Sequence, residues 1–521
     1  MIPALQRKPL RTLGRVYDPD VKDGWFKKEL KKKVVEGLKQ LNRGHARGVM
    51  KLWALHHILL PQVRWDLMVY ELPVSFVEGL EKVVNRYIRR WLGVGRSLTD
   101  VALYSKKSPC QLPFTSLVYL YKSSKVNAHI QLTESAHQEV AQNVIPSDTG
   151  RKWKLYDRRE VFGIVVDTGV ISRCEQSLRC KEVVGRVAQG RMGIEFAGGE
   201  EGKRREVLSR RKQLVKTVLE EKEDEYLTKA VQMAVQGRWT AWKDLNQRVI
   251  SWRSLVYGDA KLFRFCIGAT FNTLSSPANL KRWGLALSDE CHLCQKEKCT
   301  VQHVLSGCKV ALGQGRYRYR HDSVLRVLCH HLSGFVNSRK DIRVETSGVR
   351  FVRAGASASK IRQEKERSGL VHGGDDWVFL ADLDTRLVFP RHIVVTDQRP
   401  DIVMYSNGSK VVVMIELTCP SEENCERQHE AKLDRYTDLK ADCEARGWKV
   451  YLYAVEVGAR GYTAQSLSSC LRALGFGYRQ CRRCLEEAGN EALRTSFWVW
   501  FLKENDTWGR VGFCERTSDK R

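Results

Sequence analysis

Residues 399–418 read RPDIVMYSNGSKVVVMIELT, and this stretch decides the fold. Ile402 to Ser406 and Lys410 to Thr418 are rich in β-branched and apolar residues, the composition of buried strands. Asn407-Gly408 separates them, and Asn-Gly is the strongest short hairpin signal because both central residues of a type I′ turn take positive φ. Pairing about that turn sets Asp401 opposite Met414, two positions from Glu416. Side chains alternate along a strand, so Met414 and Glu416 share a face. Asp401 and Glu416 then become diagonal neighbours, roughly 7–8 Å apart at the backbone. Val411, Val413, Ile415 and Leu417 make the other face continuously apolar, as in a sheet buried on both sides. Two carboxylates in an otherwise apolar sheet call for a counter-charge, and Mg2+ is a suitable one. Downstream, Glu422–Arg446 reads as one helix carrying Lys432 and Tyr436 at i, i+4 spacing, hence on one face. Trp448 to Val457 reads as the next buried strand.

The order of Arg399-Pro400-Asp401, an apolar hairpin, Glu416-Leu417-Thr418 and a helix resembles the core of PD-(D/E)xK nucleases. The resemblance implies an α/β restriction-endonuclease-like domain, with Asp401 and Glu416 as ligands of a catalytic Mg2+ and the Leu417 carbonyl as a third. Thr418 departs from the pattern, because it stands where the family usually carries Lys. In the restriction-like endonucleases of non-LTR retrotransposons the lysine sits on the following helix, and Lys432 with Tyr436 matches that placement. The resemblance gives Lys432 the task of orienting water or countering phosphorane charge, beside a cation that generates hydroxide and supports the leaving oxygen. Taken singly, each residue also has a structural reading, such as a Pro-Asp that merely opens a strand.

Upstream lies Cys291-x2-Cys294-x8-His303-x4-Cys308. Three thiolates and an imidazole suit tetrahedral Zn2+ in a closed, structural site, and Cys-x2-Cys brings two sulfurs to one metal from a tight knuckle. Cys299 is a spare or substitute ligand inside the loop. Cys481-x2-Cys484 sits in an Arg-rich helical stretch without nearby partners, which makes a poor zinc motif. The scattered remaining cysteines and the lack of a signal peptide point to a reducing intracellular compartment. Leu262 to Trp283 leads into the knuckle, and Arg316-Tyr317-Arg318-Tyr319-Arg320-His321 follows it. This order is similar to the C-terminal half of non-LTR retrotransposon proteins that join a reverse transcriptase to a restriction-like endonuclease, with Ser275 replacing a usual Pro. The Arg/Tyr alternation at 316–320 would set cations on phosphates and rings on bases, and a plain basic helix end explains it equally well.

The N-terminal part fits the same resemblance. Arg11-Thr12-Leu13-Gly14-Arg15 is similar to the Leu-Gly element after a polymerase palm. Trp25, Phe26, Leu30, Val34, Leu38 and Leu41 make a helical stripe opposed by Lys27, Lys28, Lys31, Lys32 and Lys39. Further helices are expected over 49–60, 74–92 and 115–131, punctuated by Pro61, Pro73, Pro109 and Pro113. The resemblance makes residues 1–133 a thumb-like helical region. A charged helical connector is expected over 134–238, a helical region with the knuckle over 239–335, and a linker over 336–375. The nuclease domain follows over 376–480 and a helical extension over 481–521. The Asp375-Asp376 pair falls in the nuclease approach rather than in a palm. DNA synthesis is therefore not expected, and the chain reads as a 5′-truncated element or partial gene.

With 521 residues the chain holds about three domains. A net charge of +28 marks a binder of polyanions, and no apolar run is long enough to span a membrane. The resemblance implies a nuclear protein whose partners are double-stranded target DNA and element RNA or an RNA/DNA hybrid. The expected activity is target nicking that primes reverse transcription. The alternatives are an inactive nucleic-acid-binding remnant and a domesticated host protein.

Overall fold

The computed structural model describes residues 10–12, 15–17, 25–70, 72–133, 135–139, 216, 219–220, 222–296, 298–340, 369–373, 376–383 and 385–508. The Leu13-Gly14 pair, Asp375, and most of the expected connector and linker lie outside them. The chain divides into two compact units, Met1–Gly237 with Val249–Gly258, and Arg238–Arg248 with Asp259–Arg521. Among the described residues, no helix is long and apolar enough to cross a membrane.

The first unit is mainly helical, with a short antiparallel ladder of β1 (Leu10–Thr12) and β2 (Arg15–Tyr17). Its helices include α1 (Phe26–Arg43), α2 (Gly48–Ala54), α3 (Leu60–Val69), α4 (Val74–Leu92), α5 (Asp100–Tyr104) and α6 (Leu117–Thr133). The stripe expected on α1 is the face it buries, through Phe26, Leu30, Val34 and Leu38. Pro61 does not end a helix as expected. A π-turn over Leu55–Leu59 joins α2 to α3, with Leu60 N bonded to Leu55 O, and Pro61 enters the first turn of α3. The π-turn lets the continuous helix pass a proline, which can neither donate to the preceding turn nor fit an ordinary i→i−4 ladder. Glu81 on α4 is buried and accepts from Ser116 Oγ and from Val118 N at the start of α6, so its side chain caps α6. Residues 222–232 are helical, as the connector reading has it, yet they are not a solvated rod. Glu223, Tyr226 and Ala230 are buried, and Glu223 accepts from Ser105 Oγ and from the backbone of Lys106 and Lys107.

The second unit is built on a four-stranded sheet, β3 (Val378–Ala381), β4 (Ile402–Ser406), β5 (Val411–Thr418) and β6 (Lys449–Glu456), in that spatial order. The first three strands are antiparallel, and β5 and β6 run parallel. Parallel neighbours need a crossover, and two helices supply it, α7 (Cys425–Arg435) and α8 (Thr437–Ala445). The single helix expected over 422–446 is thus broken at Tyr436. One sheet face buries Ile402, Met404, Val413, Ile415, Leu417 and Val455 against the helices Arg316–Lys340 (α9), Gln465–Leu474 (α10) and Tyr478–Phe501 (α11). The opposite face buries Val403, Val412 and Met414 against Tyr436, Leu439 and Cys443. Cys481 and Cys484 lie in the first of these cores, so α11 is integral to the sheet's packing and not an appended extension. Gly461 (φ 86°) brings the loop after β6 onto α11, where a Cβ would meet Gly489 O at 2.4 Å.

Candidate metal-binding sites

The hairpin register differs from the expected one. Ile402 faces Ile415, which sets Asp401 level with Glu416 rather than with Met414. The turn spans four residues, 407–410, and its left-handed residue is Lys410 at φ 53°, not Gly408. Asp376 is the physical reason, because its carboxylate takes Ser406 Oγ and the Gly408 N–H, while Ser409 N donates to Ser406 Oγ. The wider loop is stapled from outside the hairpin. As a result the two carboxylates are direct cross-strand neighbours, closer than the diagonal pairing.

Backbone and side chains then interlock. Asp401 N donates to Glu416 Oε2 at 3.1 Å, and Leu417 N donates to Asp401 Oδ2 at 2.7 Å. Lys432 reaches across from α7 and places Nζ 2.5 Å from Glu416 Oε1. Tyr436 closes the back of the site, buried at 1% exposure, and its hydroxyl donates to Arg399 O at 2.9 Å. Burial and the Asp401 charge raise the Glu416 carboxyl above its ordinary range, with Lys432 opposing both. Thr418 lies on the same strand face as Glu416, and its buried hydroxyl has no hydrogen-bond partner among the described residues. Crowded hard oxygens with raised proton affinity are what a small divalent cation relieves.

One neighbour was not legible in the sequence. His321, on α9, places Nε2 3.3 Å from Asp401 Oδ2 and 3.2 Å from Leu417 O, while its Nδ1 is 3.0 Å from Asp322 Oδ1. Burial lowers its proton affinity, but the hydrogen bonds to Asp322 and Asp401 outweigh burial and push it up to about 10. A separation of eighty residues from Asp401 leaves no local pattern that would flag it.

The residues before His321 correct another expectation. Arg316 and Arg320 are 0% and 1% exposed, and both donate to backbone carbonyls, Arg316 to Leu502 and Asn505, Arg320 to Leu305 and Cys419. Tyr317 is buried too, with its hydroxyl between Cys308 N and the His303 and Val304 carbonyls. Only Arg318 is exposed and Tyr319 half-buried, so a continuous Arg/Tyr strip for nucleic acid does not exist. In a helix these positions face different sides, and the buried ones serve packing.

The four knuckle residues do meet. The ligand atoms of Cys291, Cys294, His303 and Cys308 lie within 4.8 Å of one another. Cys291 Sγ and Cys308 Sγ are 3.9 Å apart, and Cys294 Sγ and His303 Nε2 are 3.5 Å apart. Tetrahedral Zn2+ with bonds of about 2.3 Å to sulfur sets ligand atoms roughly 3.8 Å apart. The local fold explains the spacing. Gln295 at φ 57° turns the first pair, with its N–H on Cys291 O. A π-turn over His303–Gly307 closes the second, with Cys308 N on His303 O, which is why four residues separate these ligands. Burial and the neighbouring Cys291 push the Cys299 thiol up to about 12, and burial raises Cys308 to about 11. Cys299 lies outside the four-ligand set.

Fold and sites thus define a protein of mixed helices and sheets with a Cys3His cluster able to bind a metal such as zinc. No protein-family model matches the chain, and no curated protein is similar to it.

Proposed function

We propose that this chain is a Mg2+-dependent DNA endonuclease of the PD-(D/E)xK type, similar to the C-terminal part of non-LTR retrotransposon proteins. The observation that supports the reading is the convergence of Asp401, Glu416 and Lys432, contributed by a hairpin and the helix that follows it, with the Leu417 carbonyl sharing His321 Nε2 with Asp401. Asp401 and Glu416 would hold the ion, which supplies Lewis acidity toward a phosphodiester oxygen and a lower pKa for bound water. Lys432, tied to Glu416, stands where it orients the attacking water or counters charge on the phosphorane. Tyr436 braces the strand entry at Arg399. The Cys3His cluster would be a structural zinc site beside the nucleic-acid path. The chain's charge of +28 suits duplex DNA and element RNA, and the task would be nicking of target DNA in the nucleus.

A non-catalytic remnant is the second reading, favoured by one observation. Lys432 and His321 already neutralise Glu416 and Asp401 without any ion. Nicking of supercoiled plasmid separates the two. We expect Mg2+-dependent nicking by the wild type and a loss on the order of a hundredfold or more in Asp401→Ala and Lys432→Ala. DNA binding without nicking, equal in all three folded proteins, overturns the enzyme reading in favour of the remnant.

A further inference from the structure

His321 has no part in the proposal above, yet its ring faces the two oxygens that would hold the ion. The geometry is restrictive. The Nδ1 atom lies 3.0 Å from the Asp322 carboxylate, an acceptor when ionised, so Nδ1 carries the proton there. Nε2 then confronts Asp401 Oδ2 at 3.3 Å and the Leu417 carbonyl at 3.2 Å, both of them acceptors. Nε2, the Asp401 carboxylate and the Leu417 carbonyl thus converge, and a cation among them would answer all three lone pairs at once. Ligands in adjacent positions of an octahedral ion with bonds of about 2.1 Å are roughly 3.0 Å apart, close to the distances found. A carboxylate on the far ring nitrogen is also the usual partner of a metal-bound histidine, fixing its tautomer and its aim.

We infer that His321 is a nitrogen ligand of the Asp401 site, positioned by Asp322, so that the site favours a transition-metal ion such as Mn2+ over Mg2+. The inference rests on the Asp401 cation site proposed above and deepens it. Oxygen-only sites suit Mg2+, whereas imidazole shifts preference toward first-row transition metals, which bind nitrogen better. Lys432 and Glu416 form the opposite wall, and the groups facing His321 are Asp401 and Leu417 from the sheet and Asp322 from its own helix.

The test is pulsed electron paramagnetic resonance of Mn2+ bound to the full-length chain, after the Cys3His cluster has been filled with zinc. Wild-type protein should show 14N modulation from a directly bound imidazole, with Mn2+ binding more tightly than Mg2+ in competition. His321→Gln should lose the modulation and bind Mn2+ at least about tenfold more weakly, while Mg2+ affinity changes less. Asp322→Asn should weaken Mn2+ binding without removing the nitrogen signal. Mn2+ bound in the wild type without 14N modulation, or bound more tightly by His321→Gln, overturns the inference and makes His321 an internal counter-ion. Asp401→Ala tests the underlying site separately. If it binds Mn2+ as the wild type does, or the wild type binds none, the cation site itself falls. Should His321→Gln not fold, the wild-type spectrum still decides.

Discussion

A buried ionisable side chain either finds a partner or gives up its charge, and this protein shows both outcomes. Arg460 and Glu422 are 4% and 2% exposed and pair at 2.5 Å, with Arg460 Nε also on the Ala269 carbonyl. His56, in the π-turn after α2, is the contrary case. Its ring stacks on Phe114 with centroids 5.1 Å apart and leans on Trp252 at 5.4 Å, and Nε2 is buried without a hydrogen-bond partner among the described residues. Burial, then the charges of His57 and Lys106, lower its pKa from 6.5 to about 3. The folded state therefore holds His56 neutral, while the unfolded chain takes up a proton near its ordinary value. Its contribution to stability is intact above about pH 6.5 and is lost as pH falls toward 3. Wild-type protein should lose up to about 1.4 kcal/mol per pH unit on this account between pH 6 and 4. His56→Gln should flatten that part of the curve in urea titrations across this range. An unchanged slope would show that His56 is not the group responsible.

At the scale of elements, the knuckle illustrates how a metal replaces a core. The described residues of 288–300 contain no helix, and an isolated bridge, Glu290 with Lys298, and a few turn hydrogen bonds tie the loop together. Its buried side chains are Cys291 and Cys299, and the ligand atoms of Cys291, Cys294, His303 and Cys308 crowd within 4.8 Å, an arrangement that a bound metal stabilises and bare thiols do not. Chelation of purified protein, or Cys291→Ser, should unlock the 285–325 region, read as loss of hydrogen-exchange protection and bound zinc. Full protection in a metal-free protein would remove zinc from its structural role. The two π-turns belong to this scale as well. The one over His303–Gly307 sets a ligand spacing, and the one over Leu55–Leu59 carries the chain past Pro61. Neither has a residue signature, since a π-turn is a packing solution inserted into an ordinary helical sequence.

At the scale of the molecule, two compact units divide the chain, and the boundary expected at residue 480 falls inside a shared core. Cys481, Cys484, Ala488 and Ala492 from α11 belong to one core with Ile402, Ile415 and Val455 of the sheet, α11 packing on α9 and α10. Removing residues 481–521 should therefore unfold the second unit instead of trimming a tail. The check is circular dichroism and near-ultraviolet tryptophan signal of the truncated chain. A native-like cooperative melt would contradict the shared core, because exposing that apolar face costs several kcal/mol.

Local chemistry was legible in the residues themselves. Strands at 402–406 and 411–418 follow from β-branched runs, the face of α1 from its helical period, and the metal cluster from the spacing of Cys291, Cys294, His303 and Cys308. The hairpin register was not, because Asp376, a residue beyond the hairpin, widens the turn and moves Asp401 level with Glu416. Nor was the fate of the Arg/Tyr run, since a helix sends Arg316 and Arg320 inward for reasons set by Leu502 and Cys419. His321 meets Asp401 only because α9 crosses the sheet. Periodicity and ligand spacing are properties of neighbouring residues, and the sequence determined them. Which distant groups face each other depends on how the elements pack, and only the tertiary structure decided that.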